Sequence, residues 1–321
     1  MTLRKFLFVS AVALLSVDCA SVPQAPPLEP GAMVVIDANP KSGFHYPYLL
    51  RVPVKPVGGP TYLLVEPNNT GQVSDELSVH LEAARKLAMN ALGAAIAPEL
   101  NLPMLVPVFP RPKTGWEIYT HQLDRDSMLI DSGPMRRLDM QLIAMIEDAQ
   151  RRLHAAGIRV DDRVLMTGFS ASGTFANRFT MLHPERVRAV ATGGFNGLLI
   201  VPAAELDEVI LPYPIGTADV ATLTGRTVDL DAWRRVPQFI YMGAEDDNDA
   251  LHFDDGYNDE ERHIVYGVLG ERMQPERWSR VQQIYREAEA NAILKTYEGI
   301  GHGTDARIAR EVTEFFKQHL Q

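Results

Sequence analysis

One serine in this chain stands where a nucleophile would. Residues 164–176 read VLMTGFSASGTFA, an apolar run suited to a strand, a short turn, and a stretch suited to a helix. A serine at a sharp strand-to-helix turn presents its hydroxyl at the carboxyl edge of a sheet, and the doubled-back chain demands small neighbours. Gly168 lies two residues before Ser170; Ser172 takes the place two after it, usually given to glycine, and Gly173 follows. Ser172 is the rival nucleophile, but the residues two away from it are Ser170 and Thr174, so Ser170 fits the small-neighbour rule better. A serine hydroxyl is a weak nucleophile until a base, itself oriented by an acid, takes its proton. Two later clusters could supply these partners. Gly243-Ala244-Glu245-Asp246 follows an apolar run at 239–242, and Glu298-Gly299-Ile300-Gly301-His302-Gly303 follows another at 294–297.

The elements that must hold these residues alternate along the chain. Short apolar runs at 62–65, 104–109, 164–167, 189–191, 239–242 and 294–297 are bounded mostly by Gly, Pro or Asn, as expected for strands covered on both faces. Residues 48–52 add an antiparallel edge. Between them lie helical patterns. Ser74 is placed to cap a helix running toward Ala97, with Asp75 and Glu76 at its positive end. Leu138, Leu142, Met145, Ala149 and Leu153 repeat at helical spacing ahead of Gly157, and Thr304 is placed to cap a last helix with Ile308, Val312, Phe315 and Phe316 inward. This order predicts an α/β fold, a doubly wound and mainly parallel sheet. Two stretches interrupt it, a Pro-containing insertion at 198–236 and an acidic loop with a helix at 245–275. Segments of this kind sit at the rim where ligands enter.

Over residues 45–321 the chain resembles the α/β-hydrolase superfamily, nearest in character to its esterase, feruloyl-esterase and polyester-depolymerase branches. The resemblance rests on the Gly-Phe-Ser-Ala-Ser turn and on the order serine, acid, histidine. It implies that Asp246, three residues after the glycine that ends its strand, is the acid, with Asp247 and Asp249 as alternatives. It implies that His302, in a Gly-His turn before the last helix, is the base. Donors to the oxyanion would be the backbone N–H of Ala171 and one from the loop after the third strand. Many members carry His-Gly-Gly-Gly there, whereas this chain has Glu66-Pro67-Asn68-Asn69-Thr70-Gly71. Asn69 is the expected donor, Asn68 the next, and Pro67 has no N–H to give. In the cap-like insertion, Leu198, Leu199, Ile200, Leu211, Tyr213 and Ile215 are candidates for an apolar acyl or aryl pocket, with Phe195 and Asn196 just before it. Expected activity is hydrolysis of a small or polymeric carboxylic ester without a cofactor or metal. The alternatives are a prolyl-oligopeptidase-like peptidase, although the chain has no room for a large propeller, and a non-catalytic surface lipoprotein.

Composition bounds these readings. The 321 residues are 46% hydrophobic and 22% charged, which excludes a disordered or polytopic membrane chain. With 41 acidic against 31 basic residues the net charge is −10, the wrong sign for a nucleic-acid partner. Nine carboxylates fall between Glu245 and Glu261, without the spacing of an EF-hand, and read as a solvated acidic rim rather than a calcium site. The one cysteine, Cys19, precludes an internal disulfide. Arg4 and Lys5 precede about a dozen apolar or small residues, too few to span a membrane and right for a signal peptide. Leu15-Ser16-Val17-Asp18-Cys19 resembles a lipobox, with Asp18 where a small residue is usual. The organisation read from this is a signal peptide at 1–20, a Pro-rich tether at 21–40 and a catalytic domain at 41–321. Such a protein is exported, to the periplasm, to a lipid anchor on a membrane, or outside the cell.

Overall fold

The computed structural model describes residues 28–195 and 198–320. The residues read as a signal peptide, Cys19 and Asn196 lie outside these. Among the described residues eight strands form one sheet: β1 (Met33–Ile36), β2 (Tyr48–Arg51), β3 (Leu64–Val65), β4 (Met104–Pro107), β5 (Val164–Phe169), β6 (Val187–Gly193), β9 (Gln238–Gly243) and β10 (Ala292–Tyr297). Their spatial order is β1-β2-β4-β3-β5-β6-β9-β10. The pairs from β4 through β10 are parallel, while β1–β2 and β2–β4 are antiparallel. A separate two-stranded ribbon pairs β7 (Glu205–Leu206) with β8 (Val209–Ile210). The strand at Met33–Ile36 corrects the tether expected at 21–40, because Val34 and Val35 pair with Leu50 and Leu49 inside the sheet. The third strand is also shorter than 62–65, although the chain before it is held by a bridge from Thr61 to Val160.

Among the described residues ten α-helices pack around the sheet: α1 (Leu77–Asn90), α2 (Leu92–Glu99), α3 (Arg125–Leu129), α4 (Leu138–Ala155), α5 (Ala171–Leu182), α6 (Val220–Thr224), α7 (Leu230–Arg235), α8 (Asp259–Leu269), α9 (Trp278–Glu287) and α10 (Ala306–Gln318). Strand alternation divides the core into two layers. Met104, Val106, Leu165, Phe239 and Tyr241 face α1, α2 and α10, whereas Leu105, Val164, Met166, Ile240 and Met242 face α4, α5, α8 and α9. Side chains on both faces are buried, which explains why these strands read as continuous apolar runs.

Two caps differ from the sequence expectation. Glu76, rather than Ser74, occupies the cap position of α1, and Ser74 Oγ accepts the Glu76 N–H at 3.1 Å. Asp305, rather than Thr304, caps α10, its carboxylate accepting the Ile308 N–H at 2.8 Å. A carboxylate at a helix N-terminus adds charge to the hydrogen bond that a hydroxyl would make.

The insertion at 198–236 is not a loose cap. Leu198, Leu199, Ile200, Leu211, Tyr213 and Ile215 are all buried in the layer with α5 and α9. The segment is tied there by Ile200 N–H to Asn177 Oδ1 at 3.0 Å and by Tyr285 Oη to the Ile200 carbonyl at 3.0 Å. These side chains are therefore core, not the walls of an open acyl pocket. Leu198 and Leu199 do border one small cavity of about 10 Å³ with Phe195, Met242, Met273 and Trp278, room for a single water. In the acidic loop Tyr257 is buried and Phe253 exposed, and Trp278 at the start of α9 is buried as well.

Candidate active site

The site is built at the carboxyl ends of β3, β5, β9 and β10. Ser170 links β5 to α5 with φ 61° and ψ −132°, a left-handed conformation that is costly for a residue with a side chain. Its backbone is fixed on both sides: Ser170 N–H donates to the Gly193 carbonyl and the Ser170 carbonyl accepts from Thr174 N–H, each at 3.0 Å. The turn closes only because two neighbours are glycine. A Cβ on Gly168 would collide with the Ser172 carbonyl, and one on Gly173 would lie 2.8 Å from the Gly193 carbonyl. Ser172 is buried and turned back into the bend, its hydroxyl accepting from Phe169 N–H at 3.0 Å and donating to the Phe169 carbonyl at 2.8 Å. Serine at 172 thus serves the turn itself.

His302 and Asp246 meet although 56 residues separate them. His302 Nδ1 is 3.0 Å from both carboxylate oxygens of Asp246, which is 2% exposed. Asp246 Oδ1 also accepts the Asn248 N–H at 3.1 Å. An ionised carboxylate only accepts, so this arrangement puts the neutral ring's proton on Nδ1 and leaves Nε2 as the basic nitrogen. The ring leans on Phe169, one residue before Ser170, with centroids 4.8 Å apart. The alternative acids are elsewhere. Asp249 is buried against Arg277 and accepts the Leu251 N–H, while Asp247 is exposed.

On the opposite side, the loop after β3 is held at two points around Asn69. The buried Asn68 amide accepts from Phe109 N–H at 3.1 Å and donates to the Phe109 carbonyl at 2.9 Å, spanning the end of β4 like a rung. His121 Nε2 lies 3.0 Å from the same amide, and burial drives that imidazole's pKa down to about 3. Thr70 offers its carbonyl to Arg111 Nη1 at 3.1 Å. Arg111 is itself buried, stacked 3.9 Å over Tyr119 and paired with Asp255 of the acidic loop. Asn69 between these anchors is half-buried, and Ala171 opens the helix that follows Ser170. The roles of Arg111, His121 and Asn248 were not legible in the sequence, because no spacing relates them to the residues they touch.

Four of the acidic loop's nine carboxylates between Glu245 and Glu261 pair with arginines. Asp255 meets Arg111, Asp249 meets Arg277, and Asp254 and Asp259 meet Arg262. Among the described residues no group of three or more His, Cys, Asp or Glu side chains is disposed to hold a metal.

No protein-family model matches the chain, and no curated protein matches its sequence. Solved structures do match in shape. A structure described as poly(aspartic acid) hydrolase-1 from Sphingomonas sp. KT-1 has a TM-score of 0.58 at 15% identity, covering 89% of this chain and 98% of that one. A poly(3-hydroxybutyrate) depolymerase from Bordetella parapertussis gives 0.54 at 18% identity, covering 91% of each chain. The fold is that of the α/β-hydrolases. Within this α/β-hydrolase frame the bend at Ser170 falls after a central strand, and the turns bearing Asp246 and His302 follow the last two strands of the sheet.

Proposed function

We propose that the protein is a serine hydrolase that cleaves carboxylic esters through an acyl-enzyme. The observation that carries this reading is the contact of His302 Nδ1 with both oxygens of the buried Asp246, in a ring that rests on Phe169 beside the strained Ser170. Ser170 Oγ attacks the ester carbonyl as its proton passes to His302 Nε2. Asp246 holds the ring and stabilises the imidazolium, and the N–H groups of Ala171 and Asn69 receive the oxyanion. Collapse expels the alcohol, which takes the proton from His302. Water then attacks the acyl-serine with His302 again as base; the bond from Ser170 Oγ to the acyl carbon breaks, Ser170 takes the proton back from His302, and the carboxylic acid leaves. Similar structures named for a polyester and for a poly(amino acid) agree with acyl transfer as the underlying chemistry, and the substrate proposed here is a small or polymeric ester. The reading includes export, by the signal peptide and the lipobox-like sequence at Cys19.

The test is labelling by a fluorophosphonate with mapping of the modified residue, alongside hydrolysis of p-nitrophenyl esters. Ser170→Ala is expected to abolish labelling and to lower kcat by at least about 10³-fold, the scale of a lost nucleophile. Full activity in Ser170→Ala, or labelling elsewhere, overturns the reading.

A further inference from the structure

Asp246 is not the only side chain that grips His302. The Nδ2 of Asn248 lies 3.2 Å from His302 Nε2, on the nitrogen that must receive the serine proton. With the Nδ1 proton committed to Asp246, Nε2 of the neutral ring carries a lone pair, and an amide N–H is a donor that complements it. The backbone of the same residue donates to Asp246 Oδ1 at 3.1 Å. Asn248 therefore touches both members of the acid–base pair, one with its main chain and one with its side chain. Its loop is anchored from below: Asp249 is buried against Arg277, and Gln274 Nε2 donates to the Gly243 carbonyl at 3.0 Å.

We propose that Asn248 is a positioning residue that holds His302 from the Nε2 side and favours the neutral, proton-accepting ring. This rests on the function proposed above. A donor at Nε2 stabilises the ring while its lone pair is free and opposes the imidazolium, whose Nε2–H would face another N–H. It also fixes the ring plane, so that the imidazole is held by two handles rather than one. Catalysis requires the amide to yield Nε2 to Ser170, so the grip must be modest, as a single neutral hydrogen bond is. The ionisable group touching the ring is Asp246; Glu245 and Asp247 flank it on the same loop and are exposed. On the ring's own segment Glu298 is exposed and Asp305 is paired with Arg307 at 3.7 Å.

The experiment measures kcat and KM on a p-nitrophenyl ester from pH 5 to 9 for the native protein, Asn248→Asp and Asn248→Ala, with fluorophosphonate labelling of Ser170 in each. Asn248→Asp replaces the donor by an anion that pairs with the imidazolium, and the acid limb of kcat/KM should move up by about one pH unit or more. Asn248→Ala removes the donor alone, and the limb should move up by about half a unit, the value of one neutral hydrogen bond. KM should stay within about two-fold in both, since the proposed contact is to the imidazole and not to substrate. The inference is overturned if Ser170 labels normally while both acid limbs coincide with that of the native protein. It is also overturned if the effect falls on KM alone, which would make Asn248 a substrate contact. Failure of Ser170 to label in the native protein instead overturns the esterase reading on which it rests. Asn248 is half-buried in a loop, and either variant alone reads the effect if the other is unstable.

Discussion

At the scale of single residues, the bend at Ser170 shows why a departure from the familiar glycine pattern need not disturb the proposed nucleophile. Serine at 172 adds two hydrogen bonds to Phe169 that glycine would not make. Ser172→Ala leaves the half-buried Phe169 N–H without that acceptor, at a cost of about 1 kcal/mol. The thermal midpoint should fall by a few degrees, at roughly 2 to 4 °C per kcal/mol for a domain near this size. Fluorophosphonate labelling should remain on Ser170. Loss of labelling with unchanged stability would mean that the two serines have been assigned the wrong way round. The small-neighbour rule favours Ser170 over Ser172 in the sequence, and in the fold the Ser172 hydroxyl is buried and bonded twice to Phe169.

At the scale of elements, the loop between β3 and α1 depends on the end of β4. The Asn68 amide bonds both the N–H and the carbonyl of Phe109, so the backbone around Asn69 is set by its neighbour's side chain. Asn68→Ala breaks that rung. If Asn69 supplies an oxyanion donor, kcat should fall by about 10-fold or more, toward the loss of a whole donor, while KM stays within about two-fold. Steady-state kinetics on a p-nitrophenyl ester separate this from a binding defect, and a change in KM alone would remove Asn69 from the oxyanion site. This region also marks the limit of what the chain discloses. The six apolar runs, the Ser170 turn and the glycine-bounded turns of Asp246 and His302 were legible because strand burial and tight turns each restrict residue type locally. The first strand at Met33–Ile36 was hidden by the prolines before it, and the burial of Leu198 to Ile215 by an insertion with no period of its own. Pairings such as Asn68 with Phe109, Arg111 with Asp255, or Asn248 with His302 join segments whose approach is set by tertiary packing, and no local pattern announces them.

At the scale of the whole molecule, a titrating carboxyl is enclosed in the core. Glu66 follows β3, is 1% exposed, and accepts the Gly93 N–H at 3.0 Å against Met104 and Thr167. Burial pushes its pKa up to about 8, and the Gly93 hydrogen bond only partly opposes this. The folded protein thus keeps a proton that the unfolded chain releases near pH 4.5. Stability linked to Glu66 is complete below that value, declines as the pH rises, and is lost once the folded carboxyl ionises near 8. The full span between those two values is worth about 5 kcal/mol at 1.36 kcal/mol per pKa unit, an upper figure that internal relaxation reduces. Glu66→Gln retains an oxygen for the Gly93 N–H and removes the titration. Its thermal midpoint should lie close to that of the native protein at pH 5 and exceed it by several degrees at pH 8, with the gap opening steadily between. A constant gap across this range would mean that Glu66 ionises in the folded protein as it does in water. Burial also raises Asp124, to about 7, and Glu261, but both are common to variant and native protein and cancel in the difference between them. Burial would raise Asp139, but hydrogen bonds from His183 and Arg137 outweigh it and hold that carboxyl at about 2, so its contribution is lost only in acid. The difference between variant and native protein from pH 5 to 8 therefore isolates Glu66, the carboxyl packed against Thr167 of the strand that leads to Ser170.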